Sequence, residues 1–540
     1  MRLNWNSHYV KRIFDACLTA SVHFDAFRID PSAYLTATKW WIKRKRVRAR
    51  SQFAPLLSRS RRAYSLWVLR QESEGLRHAP AQDRPFILAL IDIRQSPDFG
   101  DLAATCKNLS EQGIAALLVG SPEVPALADA IAQIDWDGSP WLILMQPGDR
   151  IEPDTAAAYG AAMNDPAVRL IYADDDLLIG RRRCKPYFKP DWNAELFVHH
   201  DYLTGACMLH ARRADLEAVI DAADWPQRLT ARMAGQGLPL HLHEMLHHRR
   251  SRAVPRIPAK PLDLDGDLPA VSIIVPTRNR VDLLRTCLEG VAATDYPDVE
   301  VIVIDNDSDD PDTLHYLATL DPARYKVLHH SGAFNYSAIN NAGVAEARGR
   351  LLCLLNNDIE VIEPFWLAKM ATQAMRSDVG AVGARLLYPD GRIQHAAVAI
   401  GVGNAAGHAH RFLRRDEEGY FHRHNLPQFA TAVTAACLVV EREKFLAVGG
   451  LDARAFPVAF NDVDLCLRLN QRGWQSFYEP RATLIHHESV SRGLDRDPVG
   501  AARFAGELAA LKGRWKTDQI YDPFHHPHLS RASEQFAVAL

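Results

Sequence analysis

An apolar run that stops at a carboxylate limits the folds open to this chain more than any other feature. Leu351-Leu352-Cys353-Leu354-Leu355 reads as a buried strand, and it runs into Asn356-Asn357-Asp358. Val301-Ile302-Val303-Ile304 ends the same way, in Asp305-Asn306-Asp307-Ser308-Asp309-Asp310. In open α/β sheets ligands collect in the crevice at the carboxyl ends of the strands, so two acid-tipped strands suggest one shared site for a metal or a sugar phosphate. Asn, Asp and Ser are also the usual turn residues, and each cluster alone can be read that way.

The rhythm of short apolar runs and helical patterns starts near Pro85. Phe86 to Ile93, Ile114 to Val119 and Trp141 to Met145 read as strands separated by helices, which implies a parallel α/β sheet. A Pro- and Arg-rich passage from Arg249 to Pro269 interrupts the rhythm, which restarts at Val271-Ser272-Ile273-Ile274-Val275. The expected division is a basic, aromatic segment over 1–84, a first α/β domain over 85–255, a linker over 256–267, a second α/β domain over 268–500, and a helix and tail over 501–540. A length of 540 residues and a hydrophobic content of 47% suit more than one ordinary globular core.

The two halves resemble each other. Trp141 to Met145 leads to Asp149 and then Glu152-Pro153, as Leu351 to Leu355 leads to Asp358 and then Glu363-Pro364. Each is followed by a helical stretch and another strand, Val168 to Tyr172 and Val379 to Val382, and we infer a tandem duplication. Where the second half has Ile304-Asp305-Asn306 and Asn356-Asn357-Asp358, the first has Val119-Gly120-Ser121 and Pro147-Gly148-Asp149. Acids are missing from the first copy, and its metal chemistry is expected to be missing with them.

The formal charge of −2 excludes wholesale nucleic-acid binding. Basic residues gather instead between Lys39 and Arg62, beside Trp40 and Trp41, a pattern that suits either an anionic membrane surface or a solvated, partner-binding helix. The eight scattered cysteines read as reduced core residues of a cytosolic protein. No apolar stretch approaches the roughly 20 residues of a membrane-spanning helix, and residues 1–11 lack a signal-peptide core, so any membrane contact is expected to be peripheral, at the inner leaflet.

An ordered set of motifs in the second half carries a resemblance. It comprises Val271 to Thr277, Val303 to Asn306, Phe334 to Asn341, Leu354 to Glu360, Tyr388 to Gly391, Gln394-His395, Ala406 to His410, Phe460 to Arg468 and His486 to Ser489. Together these resemble family 2 inverting glycosyltransferases of the GT-A fold, particularly the rhamnosyltransferase-like group of bacterial surface-polysaccharide enzymes. The first half, through Tyr172 to Asp176 and Pro186 to Asn193, resembles the N-terminal copy of tandem-domain members, here degenerate. The resemblance implies two Rossmann-like mixed sheets flanked by helices, the second intact. It also implies a nucleoside-diphosphate sugar donor and a glycan or lipid-linked acceptor hydroxyl. Magnesium or manganese would neutralise charge on the departing diphosphate and needs only one or two carboxylates.

On that basis Asp358 is the expected metal ligand, with His486 and His487 as further candidates, and Asp462 is the expected base for the acceptor hydroxyl. Asn356 stands where the family's metal motif has its first acid and is expected to face the ribose. Thr277 and Asp305 are assigned to the nucleotide, and Asn335, Ser337 and Asn340 to donor-site hydrogen bonds. His395 and His408 are weaker candidates for the acceptor side, and Arg492 for a phosphate. Asn461 and Asp462 also read as the start of a helix over 463–469, where Asp464 fits a structural role. A glycan- or nucleotide-sugar-binding scaffold is the rival reading, which the joint presence of Asp305, Asp358 and Asp462 disfavours. A nucleotidyltransferase would need a Gly-rich loop after the first strand, and Pro276 to Arg280 offers none.

Overall fold

The computed structural model describes residues 8–74, 86–94, 99–258, 267–487 and 498–540. Four helices come first: His8–Ile29, Pro31–Ile42, Arg46–Ser58 and Ala63–Glu74. The Asp30 carboxylate accepts the Ala33 N–H at 2.9 Å and Pro31 opens the second helix, so the break between the first two is set by a cap and a proline. The two tryptophans of this basic segment lie under cations, with Arg46 3.8 Å above the Trp41 ring and Arg48 4.5 Å above Trp40.

Two mixed sheets follow. The first runs in the order Ala115–Val119, Ile87–Asp92, Trp141–Met145, Cys207–Leu209, Leu170–Ile179, Leu240–Arg249, Arg150–Ile151. The second runs Tyr325–His329, Val299–Asp305, Val271–Thr277, Leu351–Leu355, Cys437–Glu441, Val379–Leu387, Gln475–His486, Ile359–Val361. Apart from the extra edge strand Tyr325–His329, the two orders correspond strand for strand. In each, a parallel block at one end meets an antiparallel strand, Cys207–Leu209 or Cys437–Glu441. The parallel strands read from the strand–helix rhythm form one block of each sheet, and the sheets as a whole are mixed, as expected for the GT-A type. The antiparallel strand comes from a segment that returns after a long excursion, which a local apolar pattern does not reveal.

Both faces of the second sheet are covered. Val271, Ile273, Val275, Leu351, Cys353 and Leu355 pack to one side with Trp366, Leu367 and Met370, while Ile274, Leu352 and Leu354 pack to the other with Ile339, Val440 and Leu465. This two-sided burial explains why the strands are apolar at every position rather than at alternate ones. The sheets meet directly: Asn193 donates through Nδ2 to the Phe429 carbonyl at 2.9 Å, and Tyr187 stacks on Phe421 at 3.8 Å. After the helix Pro498–Trp515 the tail runs back past the first sheet, where Asp191 N–H donates to the Pro523 carbonyl at 2.7 Å, to the N-terminal helices, where Val538 N–H donates to Ser58 Oγ at 3.1 Å.

Candidate active site

The cleft of the second sheet opens where its parallel strands end. Asp305 pairs with Thr277 in the parallel register, and the next strand delivers Asn356, Asn357 and Asp358 to the same edge. Asn357 donates through Nδ2 to Thr277 Oγ1 at 3.0 Å, tying two strand ends together. The cavity of about 930 Å³ is lined by Thr277, Asn356, Asp358, His408, Asp462 and His486, among others.

Asp358 and Asn356 carry the most informative geometry. Asp358 is almost fully buried, and its Oδ1 lies 3.1 Å from His486 Nε2 without making a hydrogen bond. His486 Nδ1 lies 2.7 Å from Gln394 Oε1, an acceptor, so Nδ1 carries a proton and the ring is held with Nε2 toward Asp358 and the Asn356 amide. The Asn356 side-chain oxygen is likewise buried and unpartnered. The two unsatisfied oxygens belong to residues that line one cleft with His486, whose Nε2 lies 3.4 Å from the Asn356 amide nitrogen, and this donor set fits a divalent cation. Burial raises the Asp358 pKa, but His486 more than offsets it, so the carboxyl titrates below its ordinary value.

Asp462 faces this group from the first turn of the helix Asn461–Gln471. Its Oδ1 accepts from Val463 N–H at 2.8 Å and its Oδ2 from Ala435 N–H at 3.1 Å, which fixes the carboxylate toward the cleft. Burial pushes its pKa above the ordinary value against those two bonds. Asn461 is spent on the Val458 carbonyl, and Asp464 on Arg468, Arg514 and Trp515, a structural role.

Other predicted site residues are placed differently. His487 does not join His486: it lies just past the strand end, and its Nε2 meets Glu360 at 2.9 Å. Asn335, Ser337 and Asn340 do not line the cleft. Asn335 caps the helix Tyr336–Glu346 and binds the Ala453 carbonyl, Ser337 donates to the Phe456 carbonyl, and Asn340 donates to the Tyr336 carbonyl at 2.8 Å. Phe334, Tyr336 and Ile339 from the same segment line it instead. Asp305 lies just behind Thr277, accepting from Ser308. His395 is buried against His408, 2.8 Å between Nδ1 atoms, and burial holds its imidazole well below the usual histidine range; only His408 reaches the lining. Arg492 lies outside the described residues.

Four contributors were passed over in the sequence. Arg278, Arg280 and Arg503 stand on the cleft wall, and Gln394 both lines it and orients His486. Arg278 and Arg280 directly follow the strand Val271–Thr277, whose neighbours on both sides are the acid-tipped strands, a position that could have singled them out. Asn279 and Arg280 both take positive φ of 55°, a turn that brings the chain back over the strand ends.

The first sheet shows the contrast. Asp149 stands at the position of Asp358, but its carboxylate accepts from Gln146 and Arg250 N–H, and burial pushes its pKa up to about 6. Around it, Asp175 binds Lys189 at 2.8 Å and also Arg252, and His248 binds Asp176 at 2.9 Å. Lysine, arginine and histidine side chains pair with the carboxylates of this region.

Residues 272–429 match the sequence model of glycosyl transferase family 2. The chain carries a family 2 glycosyltransferase domain. Among curated proteins, it is 36% identical over 450 residues to the uncharacterized protein y4gI of Sinorhizobium fredii, covering 74% of this chain and 49% of that one. It is 35% identical over 433 residues to the O-antigen biosynthesis protein RfbC of Myxococcus xanthus, covering 71% and 33%. A 67-residue stretch is 46% identical to an N-acetylglucosaminyl-diphospho-decaprenol L-rhamnosyltransferase of Mycobacterium tuberculosis, covering 12% and 21%. The chain thus spans about half the length of the first relative and a third of the second. The family 2 segment contains Asp358, Gln394 and His408; Asp462 and His486 lie beyond it and reach the same cleft through the sheet.

Proposed function

We propose that the cleft transfers a glycosyl group from a nucleoside-diphosphate sugar to an acceptor hydroxyl, with inversion. The observation that carries this reading is that Asp358 and Asn356, each with a buried unpartnered oxygen, line one cleft with His486 and Asp462 at the strand ends of a family 2 domain. Asp358, His486 and Asn356 would hold magnesium or manganese, which when bound supplies Lewis-acid stabilisation of the departing diphosphate. Arg278 and Arg280 add positive charge on the donor side of the cleft. Asp462 takes the proton of the attacking hydroxyl as the new bond forms; a carboxyl held above its ordinary pKa is a better base than an exposed one.

The name of the O-antigen relative and that of the rhamnosyltransferase, which includes a polyprenyl diphosphate, favour a role in bacterial surface polysaccharide and a glycan or lipid-linked acceptor. We read 85–255 and 268–500 as the two copies of a duplicated domain on the strength of their common strand order, the first being structural. Among the described residues no helix is long and apolar enough to cross a membrane. The helices before the first sheet expose Phe24, Ile42 and Val47 among many basic side chains, which supports peripheral contact with an anionic leaflet in the cytoplasm.

Titration of the chain with a panel of nucleoside-diphosphate sugars, with and without manganese, tests the donor assignment. The expected result is metal-dependent binding and slow hydrolysis of one donor, both lost in Asp358→Ala. Binding that ignores both metal and Asp358 would overturn the site.

A further inference from the structure

We propose that His241, His243 and His526 form a second metal site, for a transition-metal dication of the zinc type, that clips the C-terminal tail to the first sheet. This inference is independent of the transfer reading. His241 and His243 are two apart on the strand Leu240–Arg249 and therefore share a face, while His526 arrives from the tail some 280 residues later. Their ligand nitrogens lie within 4.8 Å of one another, the one such grouping of three metal-ligating side chains among the described residues. Tetrahedral zinc at its usual bond lengths needs about 3.3 Å between nitrogens, a closure within reach of small side-chain rotations.

The surroundings are those of a metal centre. Asp174 and Asp191 bracket His241: Asp191 Oδ1 is 3.0 Å from Nδ1 and Asp174 Oδ1 is 3.1 Å from Nε2. Whichever nitrogen binds the ion, the other has a carboxylate to orient it, the arrangement that fixes histidine ligands and raises their basicity. Asp191 also lies 2.8 Å from His243 Nε2 and is suited to be the fourth ligand. His526 is fully buried; its Nδ1 accepts from His528 N–H at 3.0 Å and its Nε2 faces Asp174 Oδ2 at 2.8 Å. His243 and Asp191 remain about two-fifths exposed and leave an entry path.

The clip has a consequence for the cleft. The tail residue Asp522 accepts from Ile400 N–H at 2.6 Å, and Glu534 accepts from His408 N–H at 3.1 Å. These bonds hold the hairpin Val398–Ile400 and Ala406–His408, which forms one wall of the cleft. A metal fixing His526 to the first sheet would anchor that wall, giving the degenerate copy a positioning task.

Cobalt is the probe, because tetrahedral Co²⁺ absorbs in the visible and octahedral oxygen-rich sites absorb weakly. Chelator-stripped full-length Asp358→Ala, which lacks the first site, should bind one equivalent of Co²⁺ with an intense visible band and melt at higher temperature with zinc. In the Asp358→Ala, His243→Ala double variant, where the second change is at a half-exposed position that leaves the fold intact by circular dichroism, Co²⁺ affinity should drop at least about tenfold and the zinc-induced melting shift should vanish. Absence of the band in Asp358→Ala, or its persistence unchanged after His243→Ala, would overturn the proposal.

Discussion

Replacing Asp462 with asparagine separates chemistry from architecture. The carboxylate accepts two backbone N–H groups, from Val463 and Ala435. The amide keeps one acceptor and turns an NH₂ toward the other N–H, a loss of about 1–3 kcal/mol for an unsatisfied buried donor. Against this, burial already disfavours the charge, as the raised pKa of Asp462 shows, and its removal returns part of that loss. The net effect on stability should be at most about 2 kcal/mol, and the cleft should keep its shape. The effect on rate is larger, since a positioned base contributes about 10²–10⁴, or 2.7–5.4 kcal/mol of barrier. Steady-state release of nucleoside diphosphate at saturating donor and acceptor should therefore show kcat falling by about 10²–10⁴, with donor Kd by calorimetry little altered. In the wild-type protein the rate should decline as pH falls through the raised Asp462 pKa, and the residual activity of the variant should lack that acid limb. A kcat within tenfold of wild type in a folded variant would refute the assignment of the base.

Other outcomes follow from the same geometry. Gln394→Leu removes the acceptor that fixes His486 Nδ1–H, so manganese affinity, read as the metal dependence of donor binding, should fall about 10–100-fold with little change in melting temperature. Gly349→Ala would place a Cβ 2.5 Å from Ser272 N and 2.8 Å from Val271 C, backbone atoms that cannot yield; destabilisation of about 3 kcal/mol or more should appear as an earlier melting transition and a lower soluble yield. Asp149, with its pKa raised to about 6, holds a proton in the folded chain that the unfolded chain releases near its ordinary value of 3.8. Its contribution to stability is complete below that value and is lost as pH rises through about 6; the melting temperature of wild type relative to Asp149→Asn should therefore be higher at pH 4.5 than at pH 7.5.

The apolar runs determined the strands by themselves, because burial on both sheet faces leaves no polar position to blur the pattern. Trp141–Met145 and Leu351–Leu355 appear as strands over the residues read from sequence, and Asp358 and Asp462 were legible because they sit where a strand or helix pattern breaks. Tertiary structure alone decided the partners. Whether Asn335 or Ser337 faces a ligand or caps a helix depends on which carbonyl stands opposite, and those carbonyls belong to Ala453 and Phe456, more than 100 residues away. The same holds for His486 and His487, which are identical in sequence signal and are told apart by their partners, Gln394 for the last strand residue and Glu360 for the one beyond it. His241, His243 and His526 carry no metal spacing at all, since their proximity is created by a tail folding back across the molecule. Sequence records which residues want burial or charge; only the closed chain determines which of them meet.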